Sequence, residues 1–194
     1  MQQASLPGFD LPAPETHNLF FALLPDEAAR TRIAATAAWL QRQPDAPRGR
    51  WLKPERYHLT LPFLGEHARL SPELVERAMS AAGEVHAAAF DLELDVAGSF
   101  AGNARIPCWL GCREPPAALQ ALFDGLSAAL RRHACRVVGG VPLVPHVTVL
   151  RDADRGMKLP LDPAVRWRVD EFVLIDSQTQ PFRPYRMLGR WPLR

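Results

Sequence analysis

The motif His-x-Thr-hydrophobic occurs twice in this chain of 194 residues, and the repetition restricts the folds open to the chain more than any other feature. The first copy lies in "HLTLPFLG" at 58–65 and the second in "PHVTVLRD" at 145–152. Their histidines are 88 residues apart, and each copy forms a short apolar segment that follows a helix-like one. Repetition of one supersecondary unit indicates internal duplication. We therefore expect two similar lobes that face each other.

The segments around the two motifs predict an α+β protein with antiparallel sheets. Helices are predicted over 26–43, 71–85 and 115–133, and Asp26 and Ser71 occupy the N-cap positions of the first two. Helices are few and the late strands follow one another, which favours antiparallel pairing over a doubly wound parallel sheet. Apolar or alternating segments predict strands over 18–25, 50–65 (with a turn), 90–101, 106–112, 146–152, 167–178 and 185–193. The strict alternation of 90–101 is typical of an exposed edge strand.

Composition is that of an ordinary globular protein, with 47% hydrophobic and 23% charged residues. The net charge of +2 is too small to indicate non-specific DNA binding. No apolar run reaches the roughly 18 residues that a membrane span needs. Residues 1–17 lack the pattern of a signal peptide and predict a flexible lead-in. We therefore expect a cytoplasmic protein that does not contact a membrane.

Several residue types outside the motifs predict structural roles. The three cysteines lack zinc-site spacing, so we expect them to be reduced thiols. We expect the four histidines outside the motifs to lie on the surface. We expect three tryptophans in strand-like segments to lie in the core. These histidines and tryptophans are His17, His67, His86, His133, Trp51, Trp109 and Trp191.

Each motif places an imidazole and a hydroxyl on one side of its strand. Alternate side chains of a strand share a face, so His58 and Thr60 point one way while Leu59 and Leu61 point into the core. The two polar side chains are then about 7 Å apart along the strand. The same alternation applies to the second motif.

Two such strands across one cleft would suit phosphodiester hydrolysis without a metal. A neutral imidazole can take a proton from water, and an imidazolium can give a proton to the leaving oxygen. The hydroxyls of Thr60 and Thr148 can donate hydrogen bonds to the non-bridging phosphate oxygens. Arg151, five residues after His146, can supply a fixed positive charge and the fork geometry that phosphate favours.

With these paired motifs the chain resembles the 2H phosphoesterase superfamily, and specifically the bacterial and archaeal RNA 2′,3′-cyclic phosphodiesterases, also called the 2′-5′ RNA ligase or LigT/ThpR-like family. The resemblance extends over nearly all of residues 18–194. Further segments typical of the family are "LFFALLP", "RWLKPERYHLTL", "CWLG" and "YRMLGRWPL". It implies one bilobal α+β domain over 18–194. In that fold two antiparallel sheets face each other across a central groove, with helices on the outside.

The resemblance also implies an activity and residue roles. The activity is metal-independent opening of a 2′,3′-cyclic phosphate at an RNA end to leave a 2′-phosphomonoester. Related members also join or reverse 2′-5′ linkages, notably with tRNA halves. His58 resembles the histidine that protonates the O3′ leaving group, and His146 the one that activates water. Thr60, Thr148 and Arg151 resemble the groups that hold the phosphate. No cofactor or metal is implied, and we expect a monomer.

Three further residues carry expectations. Many family members have a polar or basic residue where this chain has Pro62, which cannot donate a ladder hydrogen bond. We therefore expect the first motif strand to end early and to offer no extra phosphate contact at that position. Phe63 and Tyr185 are candidates for stacking on a nucleobase, and the alternative is that both belong to the core.

Three other functions remain open on the sequence. One is a non-catalytic nucleotide- or RNA-binding module that uses the same groove. Another is a phosphodiesterase for a non-RNA cyclic phosphate, such as a cyclic nucleotide or an ADP-ribose cyclic phosphate. The third is a metal site built on the two histidines, against which activity unchanged by EDTA would argue.

Overall fold

The computed structural model describes residues 15–100, 106–139, 142–178 and 183–194, so most of the expected lead-in lies outside the described residues. Within these ranges the chain forms an α+β fold, as the sequence predicts. The helices are α1 (Glu27–Gln41), α2 (Pro72–Gly83) and α3 (Ala117–Arg132), with a short 3-10 helix at Pro54–Arg56. The strands are β1 (His17–Leu23), β2 (Arg50–Trp51), β3 (Leu59–His67), β4 (Phe90–Ser99), β5 (Ile106–Gly111), β6 (His146–Ala153), β7 (Leu159–Val169), β8 (Glu171–Gln178) and β9 (Arg186–Pro192).

The helices form where their caps and apolar faces predict them. The carboxylate of Asp26 accepts a hydrogen bond from the Ala29 amide at 2.6 Å, and Ser71 caps α2 through the Leu74 amide at 3.3 Å. The predicted apolar face of α3 is buried. In the described part of the chain, no helix combines the length and apolar character that crossing a membrane requires.

All strand pairs are antiparallel, and β3 and β6 lie at the centre of the sheet. The order is β7-β4-β5-β6-β3-β1-β8-β9, with β2 paired to β6. Strands β3 and β6 meet at one residue pair, Leu59 with Val147. This pair joins two four-stranded units, β7-β4-β5-β6 and β3-β1-β8-β9, and β2 is attached to β6 as the ninth strand. The two units are hydrogen-bonded into one continuous nine-stranded sheet rather than standing as separate sheets.

Strand β3 does not end at Pro62, so that expectation was wrong. The strand runs to His67. Against β1, Thr60 pairs with Ala22 and Phe63 pairs with Phe20, so β3 contains one residue more than β1 between these pairs. Pro62 lies in this bulge, where the ladder does not need its missing N–H.

Two other strand predictions also need correction. Strand β4 is not an edge strand, because β5 and β7 flank it. Its alternation arises because one face packs on the core while the other is exposed. The segment 167–178 holds the end of β7 and all of β8 rather than one strand. The first part of β7 was missed because Pro160 and Pro163 indicate a loop.

The two faces of the sheet are buried to different extents. The main core lies on the face of Leu59, Leu61, Val147 and Val149, all at most 3% exposed, as predicted. On the opposite face a smaller apolar cluster forms beside the first motif. This cluster comprises Phe20, Ala22, Val173 and Ile175, with Leu24, Phe63 and Tyr185 packed against it.

His17 is not a surface residue, contrary to expectation. Its side chain is only 13% exposed, and its Nδ1 lies 2.9 Å from a carboxylate oxygen of Asp176, which is 1% exposed. Arg186 also contacts this carboxylate at 3.3 Å. The three residues meet because β1 and β9 both pair with β8.

Candidate active site

The two His-x-Thr motifs meet at the centre of the sheet. Leu59 pairs with Val147, and this register sets His58 opposite Thr148 and Thr60 opposite His146. Because alternate residues share a face and Leu59 is fully buried, the four polar side chains lie on the face away from the main core. The structure therefore brings together the four residues that the repeated motif singled out.

Both histidines are oriented by the same backbone contact. Nδ1 of His58 lies 2.9 Å from the carbonyl oxygen of Arg56, and Nδ1 of His146 lies 2.7 Å from that of Val144. In each case the carbonyl belongs to the residue two positions earlier. A carbonyl only accepts, so Nδ1 carries the proton and Nε2 of the neutral ring is left with a lone pair.

Two aromatic rings enclose His58. The centroid of Phe20 lies 5.1 Å from the imidazole, and that of Tyr185 lies 5.4 Å away in an edge-on arrangement. The Tyr185 hydroxyl oxygen is 3.0 Å from Nδ1 of His58. The guanidinium of Arg56 lies 3.7 Å from the centre of the Tyr185 ring and covers one of its faces. Tyr185 thus contacts His58 directly, while Phe63 packs in the neighbouring apolar cluster.

Two other rings enclose His146. Phe100 stands edge-on at a centroid distance of 4.9 Å, and Trp109 lies 6.2 Å away. Trp109, predicted to be core, pairs with Thr148 across β5 and β6 and therefore shares its face of the sheet. Its buried Nε1 has no hydrogen-bond partner among the described residues. Phe20, Phe100 and Trp109 were not predicted as site residues, although the segments "LFFALLP" and "CWLG", cited for the resemblance, contain Phe20 and Trp109.

Arg151 reaches this site through an irregularity in β6. Strict alternation after Thr148 would turn Arg151 towards the core face. The register against β5 instead changes between the pairs Thr148–Trp109 and Leu150–Cys108, which inserts one extra residue into β6. The side chain of Arg151 is exposed, and its positive charge helps to lower the pKa of His58. Arg151 is therefore close to the first motif although it belongs to the second.

Comparison with known proteins identifies the family. The family model described as the 2′-5′ RNA ligase superfamily matches residues 18–181. The chain belongs to this superfamily. A relative from Escherichia coli (strain K12), named RNA 2′,3′-cyclic phosphodiesterase, is 36% identical over 183 residues, which cover 92% of this chain and 98% of the relative. The resemblance stated from the motifs is thereby confirmed.

Solved structures of E. coli LigT share the fold of this superfamily member. The apo form superposes with a TM-score of 0.76 at 32% identity, covering 92% of this chain and 98% of LigT. The complex of LigT with 3′-AMP gives a TM-score of 0.74 at 32% identity and the same coverage. These similarities confirm the predicted α+β LigT-like fold.

In this member of the superfamily, burial keeps both histidines neutral near pH 7. Burial lowers the pKa of His58 from 6.5 to about 4. The Arg56 carbonyl opposes this shift, while the charges of Arg151, Arg56 and His146 add to it. Burial also lowers the pKa of His146, and the Val144 carbonyl opposes it. Both Nε2 atoms can therefore accept a proton, and an anion placed against them would favour their protonated forms.

Metal-ligating side chains do not cluster in the part of this superfamily member that the structure describes. Within it, no group of three or more His, Cys, Asp or Glu side chains is arranged to hold a metal ion.

The Trp109 indole occupies space that Gly98 leaves free, which gives a stability prediction. A Cβ at Gly98 would lie 2.5 Å from the indole. We expect Gly98→Ala to lower the free energy of unfolding by about 1–3 kcal/mol, because the ring must move. Gly125→Ala, in the middle of α3 with no atom near its added Cβ, should raise it by about 0.5–1 kcal/mol. Urea denaturation of both variants provides the measurement, and equal effects would contradict the packing of the indole on Gly98.

Proposed function

We propose that this protein opens 2′,3′-cyclic phosphates at RNA ends to 2′-phosphomonoesters by general acid–base catalysis from the two motifs, without a metal. The observation that carries the proposal is the common face of His58 and His146, each with Nδ1 held by a carbonyl and Nε2 available. The name of the E. coli relative, which is similar over 92% of this chain, supports the same substrate class.

The chemistry needs one proton acceptor and one proton donor. We assign the acceptor to Nε2 of His146, which takes a proton from water as the water oxygen attacks phosphorus. The bond from phosphorus to O3′ breaks, and protonated Nε2 of His58 gives its proton to O3′. His58 is neutral in the empty site, so the anionic phosphate has to raise the pKa of His58 as it binds. Exchange with solvent restores both rings after turnover.

The two threonines and Arg151 are assigned to the phosphate. The hydroxyls of Thr60 and Thr148 lie one on each side of the Leu59–Val147 pair, so they can approach a phosphate from opposite strands. Negative charge on the non-bridging oxygens grows in the transition state, and fixed donors there lower the barrier. The exposed guanidinium of Arg151 adds a permanent positive charge.

Aromatic side chains beside the first motif are the candidates for binding the nucleoside part of the substrate. LigT has been crystallised with 3′-AMP and with ATP, so that relative accommodates nucleotides. Phe63 is partly exposed beside the first motif and is our candidate for stacking on the terminal base. Tyr185 can offer only the ring face that Arg56 leaves uncovered. We further propose that the protein acts as a cytoplasmic monomer, that tRNA halves are among its RNA ends, and that it can join 2′-5′ linkages.

The experiment uses purified, EDTA-treated protein and a short RNA that ends in a 2′,3′-cyclic phosphate. We expect conversion to the 2′-phosphate, identified by phosphorus NMR, at a rate unaffected by EDTA. A cyclic mononucleotide and ADP-ribose cyclic phosphate, assayed in parallel, measure the preference for RNA. Binding of 2′-AMP without hydrolysis of any cyclic phosphate would contradict the proposal and favour the binding module. Faster turnover of a non-RNA cyclic phosphate would support the proposed acid–base hydrolysis but would contradict RNA as the preferred substrate.

A further inference from the structure

The two histidines share a backbone contact but differ in their second contact. Nδ1 of His58 lies 2.9 Å from the Arg56 carbonyl oxygen and also 3.0 Å from the Tyr185 hydroxyl oxygen. Nδ1 of His146 meets the Val144 carbonyl, and its ring neighbours Phe100 and Trp109 have no side-chain oxygen. Among the described residues, the contact of Nδ1 with the Tyr185 hydroxyl at His58 has no counterpart at His146.

The protons around His58 can be assigned from the acceptors. The Arg56 carbonyl only accepts, so Nδ1 of His58 carries a proton and donates it. The Tyr185 oxygen, facing the same N–H, also accepts from it. The Tyr185 hydroxyl can then direct its own proton to the Arg56 carbonyl, which lies 3.4 Å away. The imidazole N–H of His58, the phenol of Tyr185 and the carbonyl of Arg56 thus form a triangle of mutual hydrogen bonds.

The side chain of Arg56 fixes the phenol in place. Its guanidinium lies 3.7 Å from the centre of the Tyr185 ring, the separation of a cation–π contact. The same guanidinium donates to the Ser177 hydroxyl at 3.0 Å and to the Arg183 carbonyl at 3.2 Å. Arg56 therefore ties together the segment before β3, the end of β8 and the segment before β9.

We propose that Arg56 and Tyr185 are positioning residues that hold the His58 ring in one orientation and in the Nδ1–H tautomer. Its Nε2 is thereby presented to the face of the sheet where Thr60 and Thr148 lie. The catalytic meaning of this arrangement rests on the proposed function, whereas the tautomer and the ring orientation do not depend on it.

The pair also acts on the charge of His58, in opposite directions. The positive charge of Arg56 disfavours a second positive charge on the imidazole and helps to lower its pKa. The Tyr185 oxygen, as an acceptor from Nδ1–H, favours the imidazolium, because hydrogen bonds from charged donors are stronger. The two substitutions should therefore have different signatures, which a role in packing alone would not produce.

The test compares Arg56→Gln and Tyr185→Phe in the full-length protein by NMR with labelled histidine, assigned through His58→Gln and His146→Gln. We expect Arg56→Gln to raise the pKa of His58 by about half a unit to one unit. We expect Tyr185→Phe, which keeps the ring, to lower that pKa and to reduce the population of the Nδ1–H tautomer. The same variant should lower kcat about 10-fold with little change in KM.

Arg50→Gln is the matched control, because it removes the same charge from an exposed side chain paired with Asp152 rather than with Tyr185. We expect a smaller shift of the His58 pKa than in Arg56→Gln, and in both test variants a smaller shift at His146 than at His58. Unchanged tautomer and pKa of His58 in both test variants, or equal shifts at His146, would overturn the proposal. Because NMR reads the ring directly, absence of turnover in the wild-type protein would count against the proposed function and not against this inference.

Discussion

Replacing both His58 and His146 with Ala is expected to reduce the opening of a 2′,3′-cyclic phosphate at an RNA end to a small residual rate, supported only by the groups that hold the phosphate. A positioned acid or base contributes about 10²–10⁴-fold. Because one proton acceptor and one proton donor act in the same reaction, each single variant should lose most of the activity, and the two losses should not add. Neither imidazole belongs to the main core, so the folded state should persist. Single-turnover rates on the cyclic RNA, with circular dichroism of each variant, provide the measurement.

His67→Ala is the control for this comparison. His67 lies at the end of β3, its Nε2 is 3.3 Å from the Leu64 carbonyl oxygen, and it contacts neither motif histidine. We expect it to retain nearly the wild-type rate. Substantial activity in the double variant would show that catalysis does not require the two histidines. A loss in His67→Ala equal to that of the double variant would show that the assay reports stability instead of catalysis.

Local chemistry accounts for the parts of the fold that the sequence predicted correctly. The Asp26 and Ser71 caps mark helix starts because a side-chain oxygen satisfies a free amide of the first turn. The two-residue period of strands places His58 beside Thr60 on one face and Leu59 in the core, and this requires no knowledge of the partner strand.

Contacts between distant segments account for what the sequence did not show. Proline signals the end of a strand unless a bulge receives it, and the bulge at Pro62 depends on the register with β1. Arg151 comes close to His58 only because β6 gains a residue against β5. The contact of Tyr185 with His58 joins the residue before β9 to the residue before β3, and these strands are connected only through β8 and β1, so no local pattern encodes the contact. Such features depend on which strands pair and in which register, and local sequence patterns do not specify either.

Replacing Thr60 or Thr148 with Val is expected to lower kcat for the cyclic phosphate about 10²-fold, with a much smaller change in KM. Valine keeps the branched shape that a strand favours and removes only the hydroxyl. Loss of one preorganised donor to a developing oxyanion costs about 10²–10³ in kcat. Thr→Ser variants at the same positions keep the hydroxyl and should remain within a few-fold of the wild-type protein. Steady-state kinetics of the four variants separate hydrogen bonding from packing.

The register of β3 and β6 also predicts which threonine is energetically coupled to which histidine. Continued from the Leu59–Val147 pair, the antiparallel register sets Thr60 opposite His146 and Thr148 opposite His58, so each hydroxyl faces the histidine of the other motif across the two strands. If the phosphate lies against both strands, Thr60→Val should show its largest non-additivity with His146→Ala, and Thr148→Val with His58→Ala. Strongest coupling inside each motif would instead mean that each strand acts on the phosphate separately. Strongest coupling across the motifs makes the Leu59–Val147 pair the point around which one site is built from two halves.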